Sequence, residues 1–234
     1  MTTLVFFHGW GASGQVWERQ AAAFGPRMTV LTPTVPLWEV GWFADFLAGM
    51  PLQDCLLVGW SLGGMLLLEA LSRLTGPAPA GLVLAGAAAA FTRRPDYPRG
   101  QPPAVVRAMR RALAADPQRL LAEFAEQCLA PGEGAMLSQA REALASQAAP
   151  GTLAAGLDYL LNRDLRPRLG RLPAGTVIIQ GQEDRIVPQA QGEFLQEQLP
   201  GARLNLLPGA GHLPFLTQAA AFNGIIEQCL STAS

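Results

Sequence analysis

Lysine is absent: the 17 basic residues of this 234-residue chain are all arginines. The absence excludes chemistry that needs a lysine amine, including the P-loop lysine, a Schiff base with pyridoxal phosphate and a Ser–Lys dyad. Charge of any kind is scarce, at 15% of residues, and the net charge of −1 argues against a nucleic-acid binder. Cysteine is limited to Cys55, Cys128 and Cys229, an odd number with no zinc-ligand spacing. These read as small buried hydrophobes in a reducing compartment. The longest nearly uncharged apolar run, Ala80 to Phe91, is too short to span a bilayer, and Met1 leads into an apolar strand with no charged leader. A soluble cytoplasmic protein without membrane attachment is expected. Histidine is reduced to His8 and His212, so any imidazole chemistry must use one of them.

Hydrophobic residues make up 50% of the chain, enough for one domain with a large core. The stretch Cys55 to Val58 is apolar without alternation, the pattern of a parallel strand buried on both faces. From Leu62 the pattern turns helical, with Leu67, Leu71 and Leu74 four and three apart. Between them stands Gly59-Trp60-Ser61-Leu62-Gly63. An abrupt strand-to-helix turn strains its middle residue and presents it at the carboxyl end of the sheet, with glycines keeping side chains out of the way. Ser61 is therefore the expected nucleophile.

Along the chain, strands are expected at Leu4–Phe7, Met28–Leu31, Cys55–Val58, Ala80–Ala85, Thr176–Gln180 and Ala202–Leu207. Helices are expected at about Gln15–Phe24, Val40–Met50, Leu62–Leu74, Gln189–Gln198 and from the His212 loop to Leu230. This alternation predicts a parallel sheet covered on both faces, with the binding crevice at the carboxyl ends of its strands. Between Phe91 and Arg163 no strand pattern occurs. Helical patterns follow one another at Ala104–Ala115, Pro117–Leu129, Gly134–Gln147 and Thr152–Asn162, with Asp116 and Thr152 as N-caps. Residues 92–163 thus read as an all-helical cap inserted into a core of 1–91 and 164–234.

A serine hydroxyl needs a base in hydrogen-bond reach and a third group orienting that base. His212 lies in a Gly- and Pro-rich loop after the last strand, and Asp184 follows the preceding strand. Glu183 is the rival acid. The spacing Gly181-x-x-Asp184-x-x-Val187-Pro188 resembles the acid loop of α/β-hydrolases, which favours Asp184, and Ser61, Asp184, His212 follow the chain order of the triad in that fold. The backbone N–H groups of Leu62 and Trp10 are the expected oxyanion donors. His8 reads as a brace for the loop His8-Gly9-Trp10-Gly11.

These motifs, with Val16-Trp17, Asp164-Leu165-Arg166 and Gly211-His212-x-Pro214-Phe215, resemble α/β-hydrolases, and more narrowly pimeloyl-[acyl-carrier protein] methyl ester esterases of the BioH type. The resemblance implies a mainly parallel α/β sheet of about six strands, the usual N-terminal hairpin being missing. It also implies hydrolysis of the methyl ester on a pimeloyl chain carried by acyl carrier protein, through an acyl-enzyme on Ser61, without metal or organic cofactor. Between Arg93 and Arg119 seven arginines face only Asp96 and Asp116, and Arg107, Arg110 and Arg111 share one helical face, a surface that suits an acidic carrier protein. Trp60, Phe91 and Phe124 are further expected substrate contacts; for the two phenylalanines, core packing is an equal alternative. A general carboxylesterase, a lactonase or a carbon–carbon bond hydrolase of the same fold remains open, as does a non-catalytic receptor.

Overall fold

The computed structural model describes residues 3–172 and 175–232. Its six strands are β1 (Thr3–Phe7), β2 (Thr29–Leu31), β3 (Cys55–Trp60), β4 (Gly81–Ala85), β5 (Val177–Gly181) and β6 (Arg203–Leu207). They form one sheet in the order β2-β1-β3-β4-β5-β6, and every neighbouring pair is parallel. A mainly parallel sheet was expected from the resemblance; among the described residues it is wholly so. All six residues of β3 are buried, which is why its sequence lacks alternation.

The helices of the sheet layers are α1 (Glu18–Phe24), α2 (Val40–Ala48) and α3 (Leu62–Leu71). Between β4 and β5 come α4 (Pro103–Ala115), α5 (Pro117–Gln127), α6 (Leu137–Ala143) and α7 (Pro150–Asn162). After β5 follow α8 (Gln189–Gln198), α9 (Pro214–Thr217) and α10 (Ala219–Thr232). The strand order reverses between β1 and β3, since β2 lies on the far side of β1. Such a switch point opens a crevice at the carboxyl ends of the strands. It sets the loop after β1 beside the turn after β3, and the loops after β5 and β6 complete the same edge.

Several boundaries differ from expectation for identifiable reasons. The pattern Gly134–Gln147 is a 3-10 turn over Pro131–Met136 followed by the short α6. Thr152 is not an N-cap: α7 begins at Pro150, whose fixed φ suits a first helical position, and Ala149 precedes it without a side-chain cap. Asp116 does cap α5, accepting from the Arg119 N–H at 3.0 Å. The closing helix is divided at Gln218, which has extended φ. Helix α3 ends at Leu71, where the Ser72 hydroxyl donates to the Glu69 carbonyl.

All ten residues of α3 are buried, because α2 packs on the side that the sheet does not cover, with Tyr159 and Arg163 of the insert reaching Glu69. Glu69, with 0% exposure, is the point of attachment. Its carboxylate accepts the Tyr159 hydroxyl at 2.8 Å and Arg163 Nε at 2.7 Å, and also pairs with Arg73. Nucleophile helix and insert are thereby joined through a buried ionic group.

Candidate active site

The turn from β3 into α3 places Ser61 at φ 53° and ψ −124°, the one non-glycine residue with positive φ among the described residues. Such a conformation costs roughly 1–3 kcal/mol and persists only where its surroundings dictate it. Here the Ser61 N–H donates to the Ala85 carbonyl at 2.9 Å. A Cβ on Gly59 would lie 2.6 Å from the Gly64 Cα, and one on Gly63 would lie 2.1 Å from the His8 carbonyl oxygen. Neither position tolerates a side chain, so the paired glycines follow from close backbone approach.

His212 lies between the other two groups. Its Nε2 is 3.0 Å from Ser61 Oγ, and its Nδ1 is 2.7 Å from Asp184 Oδ2. The Asp184 carboxylate fixes the tautomer: Nδ1–H donates to it, which leaves Nε2 free to accept the serine proton. Asp184 Oδ1 accepts the N–H groups of Ile186 and Val187, both at 2.8 Å, and Oδ2 also accepts from Gln180 Nε2 at 3.2 Å. The Asp184-x-x-Val187 spacing is thus the spacing of a turn closed on its own carboxylate. Glu183, the rival acid, is exposed.

Sequence reasoning missed Gly86. It has φ +50°, and a Cβ there would come within 3.1 Å of the His212 ring and 3.3 Å of Asp184 Oδ2. A glycine directly after the strand beside the nucleophile strand was the available signal. Glu133 was also missed: its Oε2 accepts the Gly211 N–H at 3.0 Å. No local pattern announces a contact across 78 residues.

The loop after β1 passes against the nucleophile, since a Cβ on Gly9 would lie 3.0 Å from Ser61 Cβ. Leu62 opens α3, so its N–H has no partner within the helix. Trp10 follows Gly9, and its buried indole donates to the Leu153 carbonyl at 2.8 Å and meets Phe124 edge-on at 5.2 Å. His8 is 1% exposed: Nδ1–H donates to the Gly9 carbonyl and Nε2 accepts the Val35 N–H at 2.8 Å. Burial holds its pKa down at about 4, so it stays neutral and braces the loop.

Trp60 does not sit where a substrate contact was expected. It has 0% exposure, because its indole N–H finds its partner in the His212 carbonyl at 2.9 Å while the ring packs on Phe215. Phe124 is buried against Trp10, and Phe91 is buried with its carbonyl accepting from Gln101 and Gln191. Arg107, Arg110 and Arg111 are exposed on α4. The charge imbalance of that segment is smaller than its sequence suggests. Arg99 pairs with Glu197, Arg110 with Asp158 and Arg119 with Glu123, acids that all lie outside the Arg93–Arg119 window. Among the described residues no ion pair engages Arg107 or Arg111. A cleft of about 1070 Å³ is lined by Ala12–Val16, Thr34–Pro36 and Ala145–Ala149 but by none of Ser61, Asp184 and His212.

The model of the alpha/beta hydrolase family matches residues 4–225. The chain belongs to the alpha/beta hydrolase family. Within that family it is 33% identical to a pimeloyl-[acyl-carrier protein] methyl ester esterase of Aromatoleum aromaticum, over 96% of each chain. It is 31% identical to a protein of the same name from Aeromonas hydrophila, over 96% of this chain and 93% of that protein. Among solved structures, an esterase from Exiguobacterium antarcticum superposes with a TM-score of 0.88 and 24% identity, covering 98% of this chain and 92% of that one. At that identity the likeness speaks for the fold. As an alpha/beta hydrolase, the chain carries its serine, acid and histidine after β3, β5 and β6, the order of that fold.

Proposed function

We propose that this alpha/beta hydrolase is a cytoplasmic serine carboxylesterase that cleaves the methyl ester of a pimeloyl chain borne on acyl carrier protein. The observation that carries the reading is the imidazole of His212, hydrogen-bonded at 3.0 Å to Ser61 and at 2.7 Å to Asp184, in a chain one-third identical to an esterase of that name. Ser61 Oγ attacks the ester carbonyl while its proton passes to His212 Nε2. The N–H groups of Trp10 and Leu62 receive the oxyanion, and Asp184 stabilises the imidazolium. Collapse expels methanol, which takes the proton from Nε2 and leaves an acyl group on Ser61. Water then attacks with His212 as base, freeing the carboxylate and restoring the serine.

Residues 92–163 act as a cap over this edge, with Phe91 and Phe124 as apolar contacts for the acyl chain. Arg107 and Arg111, exposed and without ion pairs among the described residues, are the groups on which an acidic carrier protein would dock. The burial of all three cysteines suits a reducing compartment, and among the described residues no helix is long and apolar enough to cross a membrane. One observation favours a second reading, a general carboxylesterase: Arg99, Arg110, Arg119, Arg141 and Arg163 of the cap are already paired within the chain. The deciding experiment compares hydrolysis of methyl pimeloyl-carrier protein with free dimethyl pimelate, using the wild type and Ser61→Ala. Preference for the carrier-bound ester, lost with Ser61, supports the first reading. Ser61-dependent hydrolysis without preference supports the second. No Ser61-dependent turnover sinks both.

A further inference from the structure

We propose that Glu133 is a positioning residue for His212, holding the histidine loop in register from the inserted segment. The proposal rests on the esterase reading and adds to it a group outside the serine, acid and histidine.

The loop that carries His212 has little structure of its own. It runs from Pro208 to Leu213 between β6 and α9, with Gly209 at φ +70° and a second glycine at 211. Glycine-rich backbone of this kind has many alternatives to its functional conformation. Contacts from outside the loop select one. The His212 N–H donates to the Cys128 carbonyl at 2.7 Å, the His212 carbonyl accepts Trp60 Nε1 at 2.9 Å, and the Gly211 N–H donates to Glu133 Oε2 at 3.0 Å. The Ala210 carbonyl accepts the Glu183 N–H at 3.0 Å, and the Pro208 carbonyl accepts Gln218 Nε2 at 2.9 Å. The two bonds nearest the imidazole on its N-terminal side, at Gly211 and at the His212 N–H, come from residues 128–133 of the insert. The fit there is tight, since a Cβ on Gly211 would lie 2.4 Å from the Cys128 carbonyl oxygen and 2.6 Å from the Ala130 N.

Glu133 is 8% exposed, and its Oε2 also accepts the Ala130 N–H at 2.8 Å, the acidic half of a capping box at the turn Pro131–Met136. No cation pairs with this carboxylate among the described residues, and its Oε1 has no hydrogen-bond partner. A buried carboxylate satisfied on one oxygen alone is a poor way to stabilise a turn. It is an effective way to tie two backbone segments together, because the one oxygen accepts the Ala130 N–H of the insert and the Gly211 N–H of the histidine loop at once. The latter N–H belongs to the residue before the catalytic base. Its displacement moves the imidazole relative to both Ser61 and Asp184.

The test uses full-length Glu133→Met, which keeps volume and removes the acceptor, and Glu133→Gln, whose amide oxygen can make both bonds. Turnover of a p-nitrophenyl ester is measured per competent site, counted by endpoint fluorophosphonate labelling, beside urea unfolding. Misplacing a reacting group by about 1 Å costs up to ~100-fold, so Glu133→Met should lose ~10- to 100-fold in kcat with KM within about twofold. Glu133→Gln should recover kcat to within about threefold, and the rate of fluorophosphonate labelling should follow kcat in both. A Glu133→Met enzyme with wild-type kcat per site, changed only in its unfolding midpoint, overturns the proposal. Equal loss in both variants overturns it as well, because charge and not the bond would then matter. A wild type that takes no label at Ser61 fails earlier, at the esterase reading itself.

Discussion

Lowering the pH should destabilise this protein well before its carboxylates are neutralised, and His8 is the reason. In the folded chain burial holds the His8 pKa at about 4, against 6.5 for an ordinary histidine. Between those two values the unfolded chain binds a proton that the folded chain refuses. Stability therefore rises with pH across this window and is lost as pH falls from about 6.5 to about 4. The full difference is about 2.5 units, or about 3 kcal/mol at 1.36 kcal/mol per unit, and about 2 kcal/mol of it is gone by pH 5. His8 is 1% exposed, so solvent screening leaves this figure largely intact. Against a total stability of ~5–15 kcal/mol the loss is large. Asp164 and Asp96 have lowered pKa values, chiefly through hydrogen bonds from Arg166. Their contributions are present above the ordinary carboxylate value of 3.8 and vanish only below it, outside this window. Urea unfolding at pH 7, 6, 5 and 4 measures the slope directly. His8→Gln, which can keep an acceptor for the Val35 N–H, should flatten it. An equally steep slope in His8→Gln would refute the reasoning, since the extra proton would then belong to another group.

Four further outcomes are expected. Asp184→Asn should lower kcat by about 10⁴-fold through the wrong tautomer at His212, while Glu183→Gln leaves steady-state kinetics unchanged. Gly156→Ala puts a Cβ 2.7 Å from Trp10 and 3.1 Å from Leu62; the helix gains up to ~1 kcal/mol in propensity, yet kcat should fall about tenfold as the oxyanion donors shift, as stopped assays with a small ester would show. Tyr159→Phe removes one donor from the buried Glu69 carboxylate and should cost about 1–2 kcal/mol in chemical denaturation. Charge reversal at Arg107 and Arg111 together should raise KM for the carrier-bound ester at least about tenfold, more at low salt, and leave dimethyl pimelate kinetics untouched.

What could be read in the sequence follows from how local the physics is. Strand β3 was legible because burial on both faces removes alternation, and the nucleophile turn because Gly59 meets the backbone of nearby Gly64, although Gly63 answers to His8 on the neighbouring strand's loop. The choice of Asp184 over Glu183 rested on a spacing like that of the α/β-hydrolase acid loop, and the structure shows that spacing to be a turn closed on its own carboxylate, again a local event. Thr152 misled because capping preference was weighed above proline's fixed φ two residues earlier. Trp60 misled because a residue beside the nucleophile invites a substrate role, whereas its indole is committed to a carbonyl 152 residues away. The arginine count between Arg93 and Arg119 overstated the free charge for the same reason: the acids that pair with Arg99 and Arg110 enter from Glu197 and Asp158, outside that stretch.

Those long-range contacts converge on one arrangement. The insert touches each catalytic element by a different bond: Leu153 accepts from the Trp10 indole, Gly156 leaves room for Trp10 and Leu62, Tyr159 and Arg163 hold Glu69 on α3, and Cys128 and Glu133 hold the loop of His212. The turn of Ser61 belongs to the sheet, whereas the Trp10 loop, the His212 loop and the Asp184 loop, whose Arg185 and Ile186 carbonyls accept from Gln101, all lean on the insert. On the proposed esterase reading, an insert bonded in this way bears on rate as well as on specificity. Replacing it with the helices of another alpha/beta hydrolase should therefore lower kcat even toward a small ester that needs no cap contact, unless the groups equivalent to Glu133 and Gly156 are carried over with it.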